Sequence, residues 1–213
     1  MNAHVLKSAT IALAMLLAPL TATAAEVTFL CSNALKAVME EIAPRFEQAT
    51  GHKLVITFGS TNPLKARIVK GEAFDLTILG DAAIDDLIKQ GKLDGTTRAV
   101  VARSVLGVAF RKGAPKPDVS TTEAFKRTLL EAKSIAYLEG GLTGTYLKVL
   151  FQRLGIAENM QSKHKSTRGA ETVARGEAEL GVTQMSEILY EKGVELAGLL
   201  PPEIQNYTNF PAA

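Results

Sequence analysis

The chain has 213 residues, 46% of them hydrophobic, and its 24 Lys and Arg against 22 Asp and Glu leave a formal net charge of +2. That length and apolar content suffice for one or two lobes with true cores. The near-balanced charge and 6% aromatic content provide neither a basic stripe nor stacking platforms, which excludes nucleic acid as an expected partner.

The first 25 residues read as a targeting segment. His4 and Lys7 precede the apolar run "ATIALAMLLAPL", and "TATAA" supplies small residues for cleavage. This is the layout of a secretory signal peptide, whose apolar core is too short to span a membrane as a helix. Export to the periplasm is therefore the expectation. Cys31 is the single cysteine, so no internal disulfide can form and stability must come from packing. "TFLC" lacks the small residues that a lipid-attachment site places before its cysteine. His52 and His164 stand apart from other ligand types, so neither a metal nor a cofactor is expected.

From residue 26 onward, strand and helix patterns alternate. "EVTFLC" reads as a strand. "ALKAVMEEIAPRFEQATG" reads as an amphipathic helix with Leu35, Val38, Met39, Ile42 and Phe46 at helical spacing and Gly51 as its stop. "HKLVITFG" is a strand, and Asn62 is a good N-cap for a helix opening at Pro63. Then come "FDLTIL" (strand), "AAIDDLIKQGK" (helix), "SVLGVAF" (strand), "TTEAFKRTLLEA" (helix), "SIAYL" (strand) and "GTYLKVLFQRLG" (helix). A helix at "AETVARGE", the strand "AELGVTQ" and a short helix at "SEILYEKG" follow. Alternation of this kind implies an α/β fold with mostly parallel sheets.

Five strand-to-helix junctions share one chemistry. They carry Ser32 and Asn33; Ser60 and Thr61; Thr143, Gly144 and Thr145; Ser166, Thr167 and Arg168; and Thr183, Gln184 and Ser186. Capping explains each junction separately. Together they lie at the carboxyl ends of strands, where open α/β sheets bind ligands, and helix N-termini gathered there suit a small anion. An arginine at one junction adds a planar fork that fits a carboxylate.

These stretches, with "GEAFDLTILGD", "GEAELGVTQMSEI" and "GVELAGLLPPEIQNYTNF", resemble the periplasmic solute-binding proteins that capture molybdate for ABC importers. The resemblance implies two α/β lobes with an anion clamped between them: residues 26–102 as lobe 1, 103–203 as lobe 2, and 204–213 returning to lobe 1. It also implies an inner-membrane ABC permease as partner, and a monomer unless a short C-terminus drives association. The family continues past the match to "QNYTNFPAA" with a closing helix, so an uncovered apolar face on lobe 1 is expected.

The implied ligand set is Ser32, Asn33, Ser60, Thr61, Thr143, Gly144, Thr145, Arg168 and Gln184. Two positions depart from the family pattern: Ala34 replaces a serine and Gln184 replaces a tyrosine. With Arg168, these departures favour a small organic carboxylate over a molybdate-type oxyanion, because an amide both donates and accepts. The alternative is an isomerase of an unsaturated tricarboxylate such as aconitate on the same scaffold, for which Glu139 and Glu187 are the candidate proton-transfer groups.

Overall fold

A computed structural model describes residues 24–213; the expected signal peptide lies outside the described residues except for Ala24 and Ala25. The strand β1 (Glu26–Ser32) passes through a 3-10 turn at Asn33–Leu35 into α1 (Lys36–Thr50), β2 (Lys53–Gly59) leads into α2 (Thr61–Val69), and β3 (Leu76–Ile78) into α3 (Asp81–Lys89). After the long strand β4 (Ala99–Arg111) come α4 (Thr122–Glu131), β5 (Ile135–Tyr137), α5 (Leu142–Arg153), α6 (Ala157–Lys163) and β6 (His164–Ser166). The chain then forms α7 (Gly169–Ala174), β7 (Leu180–Gln184), α8 (Met185–Tyr190), β8 (Val194–Leu199) and β9 (Tyr207–Ala212).

The strands run in the order β2-β1-β3-β9-β4-β7-β5-β6, with β8 also on β4. Pairing is parallel in the flanks, β1 with β2 and β3, and β5 with β6 and β7. It is antiparallel where β4 meets β7, β8 and β9. β4 changes partners along its length: Ala99 to Val105 pair with β9, and Leu106 to Phe110 pair with β7. One strand thus belongs to both halves of the molecule. At the switch, Gln205 fills the gap in the ladder. Its Oε1 accepts from Leu106 N at 2.8 Å, and its Nε2 donates to the Leu106 and Leu200 carbonyls at 3.1 and 3.0 Å, which keeps buried backbone groups paired where strands diverge.

Each half has its own core. Consecutive residues Phe29, Leu30 and Cys31 are all buried, as expected for a parallel strand covered on both faces. Phe29 and Cys31 pack with Met39 and Phe210, while Leu30 packs with Leu64, Ile84 and Leu87. In the other half Leu106, Phe125, Leu129, Leu147 and Leu150 form the centre. Burial pushes the Cys31 thiol up to about 12, so it remains a protonated, inert core group at neutral pH.

An uncovered apolar face of the kind expected in the first half lies on α1, and one capping expectation is corrected. In α1 only Met39 is buried, whereas Val38, Ile42 and Phe46 are 50%, 43% and 41% exposed. These residues share one stripe with Met39, and no described element covers its outer part. The N-cap of α2 is Ser60, not Asn62, so the helix starts at Thr61. Pro63 still fits, because the first four N–H groups of a helix have no intrahelical acceptor. Asn62 is released from capping and its Nδ2 donates to the Gly140 carbonyl at 2.8 Å, in the other half of the chain.

Candidate functional site

A cleft of about 100 Å³ opens between the two halves. From the first half it is bordered by Ser32, Asn33, Ser60 and Thr61, and from the second by Thr143, Arg168 and Gln184. Gly144 and Thr145 do not border it. A Cβ on Gly144 would lie 2.4 Å from the Leu138 and Glu139 carbonyl oxygens, so this glycine lets the first turn of α5 press onto the loop after β5. The Thr145 hydroxyl donates back to the Gly141 carbonyl at 3.0 Å, inside its own helix.

The helix mouths differ in how their N–H groups are used. Ser32 Oγ accepts from Ala34 N at 3.4 Å, a capping bond that still leaves the hydroxyl its own proton to donate. Ser60, Gly141 and Arg168, the N-caps of α2, α5 and α7, make no side-chain cap hydrogen bond. Their first-turn N–H groups therefore keep donor capacity toward the cleft side. Thr61 Oγ1 accepts from Gly80 N at 3.3 Å and is buried; its own proton is still available, since a hydroxyl accepts and donates at once.

Arg168 is set at the cleft by an unusually close approach of α7 to the sheet. A Cβ on Gly181 would meet the Gly169 carbonyl oxygen at 2.6 Å, and one on Gly169 would meet the Ala136 carbonyl oxygen at 2.9 Å. Only glycine at both places permits that contact. The Arg168 Nη1 donates to Glu171 Oε1 at 2.6 Å, with both side chains about half exposed. No other hydrogen bond engages the guanidinium among the described residues. The partner three positions on could have been read from the i,i+3 spacing.

The two carboxylates considered for proton transfer part company. Glu139 is exposed and lies outside the cleft lining. Glu187 borders the cleft. Its carboxylate accepts from the Thr183 hydroxyl and from the Gln184 backbone N–H, half of a capping box at the start of α8. Burial pushes its pKa above the usual 4.5; the Thr183 and Gln184 bonds and the charge of Arg168 pull the other way without cancelling that rise. Lys36 and Tyr190 also border the cleft, as does the junction residue Ser186, which is outside the implied ligand set. Lys36 and Tyr190 sit within helical surface patterns that carry no site signal in sequence.

Two buried polar atoms on this side lack partners among the described residues, Gln184 Oε1 and Ser186 Oγ. Orphaned polar atoms are unusual in a folded protein, where nearly all buried polar groups are paired.

Comparison with known proteins gives the chain's family. The chain is 35% identical over 196 residues to an aconitate isomerase from Pseudomonas sp., covering 88% of this chain and 74% of that protein. It is 29% identical over 179 residues to the molybdate-binding protein ModA of Azotobacter vinelandii, covering 81% and 69% of the two chains. The solved Azotobacter vinelandii periplasmic molybdate-binding protein superimposes with a TM-score of 0.67 at 22% identity, over 88% of this chain and 84% of that one; at that identity the likeness speaks for the two-lobe fold alone. A family model for bacterial extracellular solute-binding proteins matches residues 27–213, and the chain belongs to that family.

Proposed function

We propose that this protein captures a small organic carboxylate in the cleft between its lobes, after export, and hands it to an ABC permease in the inner membrane. The observation that carries this reading is the set of uncapped helix mouths at Ser60, Gly141 and Arg168 around a cleft that Arg168 also borders. Neutral N–H and hydroxyl donors suffice for an oxyanion. The guanidinium edge left open beside the Glu171 pair adds a planar site that matches a carboxylate. Ser32, Asn33, Ser60, Thr61, Thr143, Arg168 and Gln184 form the ligand set on this reading. Thermal melts with citrate, aconitate, molybdate and sulfate test it, because a ligand that binds only the native state raises its stability by mass action. The carboxylates are expected to raise Tm most; a shift with molybdate or sulfate and none with carboxylates overturns the reading.

A second reading is favoured by one specific observation. Glu187 is a desolvated carboxyl beside the cleft, in a chain similar to an aconitate isomerase. A carboxylate so placed would take an allylic C–H proton from an unsaturated tricarboxylate. The electron pair would spread over the double bond and adjacent carboxyl, and the Glu187 carboxyl, whose O–H exchanges with solvent, would return a proton at the far carbon, with no co-reactant needed. Deuterium uptake by aconitate in heavy water, followed by NMR, distinguishes the readings: incorporation supports the enzyme, and binding without incorporation the carrier.

A further inference from the structure

We infer that the cleft takes up one proton together with its anion, and that Glu187 is the group that holds it. The inference rests on the carrier reading above and concerns the charge that an occupied cleft can hold. The lining carries two cations, Lys36 and Arg168, against three carboxylates, Glu171, Glu187 and Glu191. Both cations already have a partner. Arg168 Nη1 donates to Glu171 Oε1 at 2.6 Å, and the Lys36 ammonium lies 3.7 Å from the Glu40 carboxylate. Glu187 has no cation within ion-pair distance among the described residues. Its carboxylate rests on two neutral donors, the Thr183 hydroxyl and the Gln184 backbone N–H.

An anion entering this lining adds like charge beside a carboxylate that no cation neutralises. Two such groups sharing one site do not both stay ionised, and one of them gains a proton. Glu187 is the group placed to gain it. Glu171 has the Arg168 guanidinium against it, and Glu191 lies a turn further on, past the end of α8. Burial holds the Glu187 pKa above the usual 4.5 before any anion arrives. Nothing else packed on α8 supplies a neutralising charge. β7 and the 3-10 turn at Asn33–Leu35 carry no charged residue. Arg103 and Arg111 of β4 and Glu195 of β8 do not border the cleft. From α1 only the paired Lys36 does, and from α8 itself Tyr190, whose hydroxyl is bonded to Glu40. From α7, Arg168 and Glu171 act on Glu187 with opposite sign.

Calorimetric titration with citrate, in pairs of buffers that differ in ionisation heat, reads the proton count, because the buffer that gives up the proton adds its own heat. The titrations run in steps from about pH 5.5 to 8.5 on the wild type and on Glu187→Gln, which has no site for the proton. Citrate's own protonation enters both measurements equally and cancels in the difference. At its maximum in that range, the wild type is expected to take up between about one half and one more proton per citrate than the variant, and its affinity to fall by up to about tenfold per pH unit there. The same count in both proteins at every pH overturns the inference. So does a wild-type count that citrate's own protonation accounts for, which needs no variant. If molybdate binds and citrate does not, the carboxylate reading fails, and the count read with molybdate decides this inference separately. If neither anion binds, both fall.

Discussion

Tyr190 at the end of α8 donates its hydroxyl to Glu40 of α1, a residue 150 positions earlier, and so ties the two halves together across one rim of the cleft. Lys36 reinforces the tie, with its ammonium 5.5 Å from the Tyr190 ring centre and 3.7 Å from the Glu40 carboxylate. At another point Asn62 bonds the Gly140 carbonyl, and Leu142 packs so closely on Gly80 that a Cβ there would lie 2.6 Å from it. These contacts exist only when the halves approach each other, so they favour a closed form whose population scales the apparent affinity. Tyr190→Phe combined with Asn62→Ala is expected to weaken ligand binding several-fold, as two partly exposed hydrogen bonds of about 0.5–1.5 kcal/mol each are lost. Small-angle scattering of the ligand-free variant should report a larger radius of gyration; an unchanged radius and affinity would show that the ties are incidental.

Thr61 serves two partners on the ligand reading: it accepts from Gly80 N and offers its proton to the anion. Thr61→Ala is expected to cost about 1.5–3 kcal/mol of binding, and Thr61→Ser, which keeps the hydroxyl, much less. Titration of both variants with citrate is the measurement. If Thr61→Ala binds as the wild type does, Thr61 has only its structural bond to Gly80.

How far these features can be read from sequence depends on whether they are local. The strand-to-helix alternation is a local pattern and appears in the fold, and of the small polar residues at the junctions Ser32, Ser60, Thr143 and Thr183 border the cleft while Gly144 and Thr145 do not. The partner of a side chain is not local. Asn62 has the right chemistry for an N-cap, yet its amide is used 78 residues away on Gly140, and nothing near it in sequence marks that choice. In the same way Val38, Ile42 and Phe46 share a stripe with buried Met39, but periodicity defines a stripe without saying how much of it a neighbour will cover. The closeness of Gly181 to Gly169, which sets Arg168 at the cleft, is likewise a property of two segments together. β8 and β9 carry little sequence signal, because short strands that pair antiparallel with β4 lack the helix that follows a strand in the parallel units.

Arg168 has a competitor for any ligand carboxylate in Glu171, 2.6 Å away. Removing that charge should free the guanidinium fork. Glu171→Gln is therefore expected to tighten citrate binding several-fold, with Arg168→Ala abolishing it, because a carboxylate left in the cleft without its partner is strongly disfavoured. The contrast in sign makes the pair informative. Weaker binding in Glu171→Gln would mean that Glu171 orients the arginine rather than competing for it.

Glu187 predicts a pH dependence whose sign follows from its surroundings. Arg168 and Glu171 act on it from α7; Lys36 from α1, and Tyr190 and Glu191 from α8 itself, also border the same cleft. Burial dominates and raises its pKa above 4.5 in the folded chain. The native state then holds a proton on this group over a range where the unfolded chain has already released it. Stability from this residue falls as pH rises from the unfolded value through the folded one, and the deficit is full above it. Glu187→Gln keeps an acceptor for Thr183 and for the Gln184 N–H and has no charge to desolvate. The variant should gain on the wild type in Tm steadily as pH is raised through the carboxylate range from about 4 toward 8, with the two closest at the acid end. Melting curves of both proteins across that range measure the gap. A gap that stays constant, or that widens toward low pH, would show that the ionised Glu187 is well solvated or well paired in the cleft and has no raised pKa to contribute.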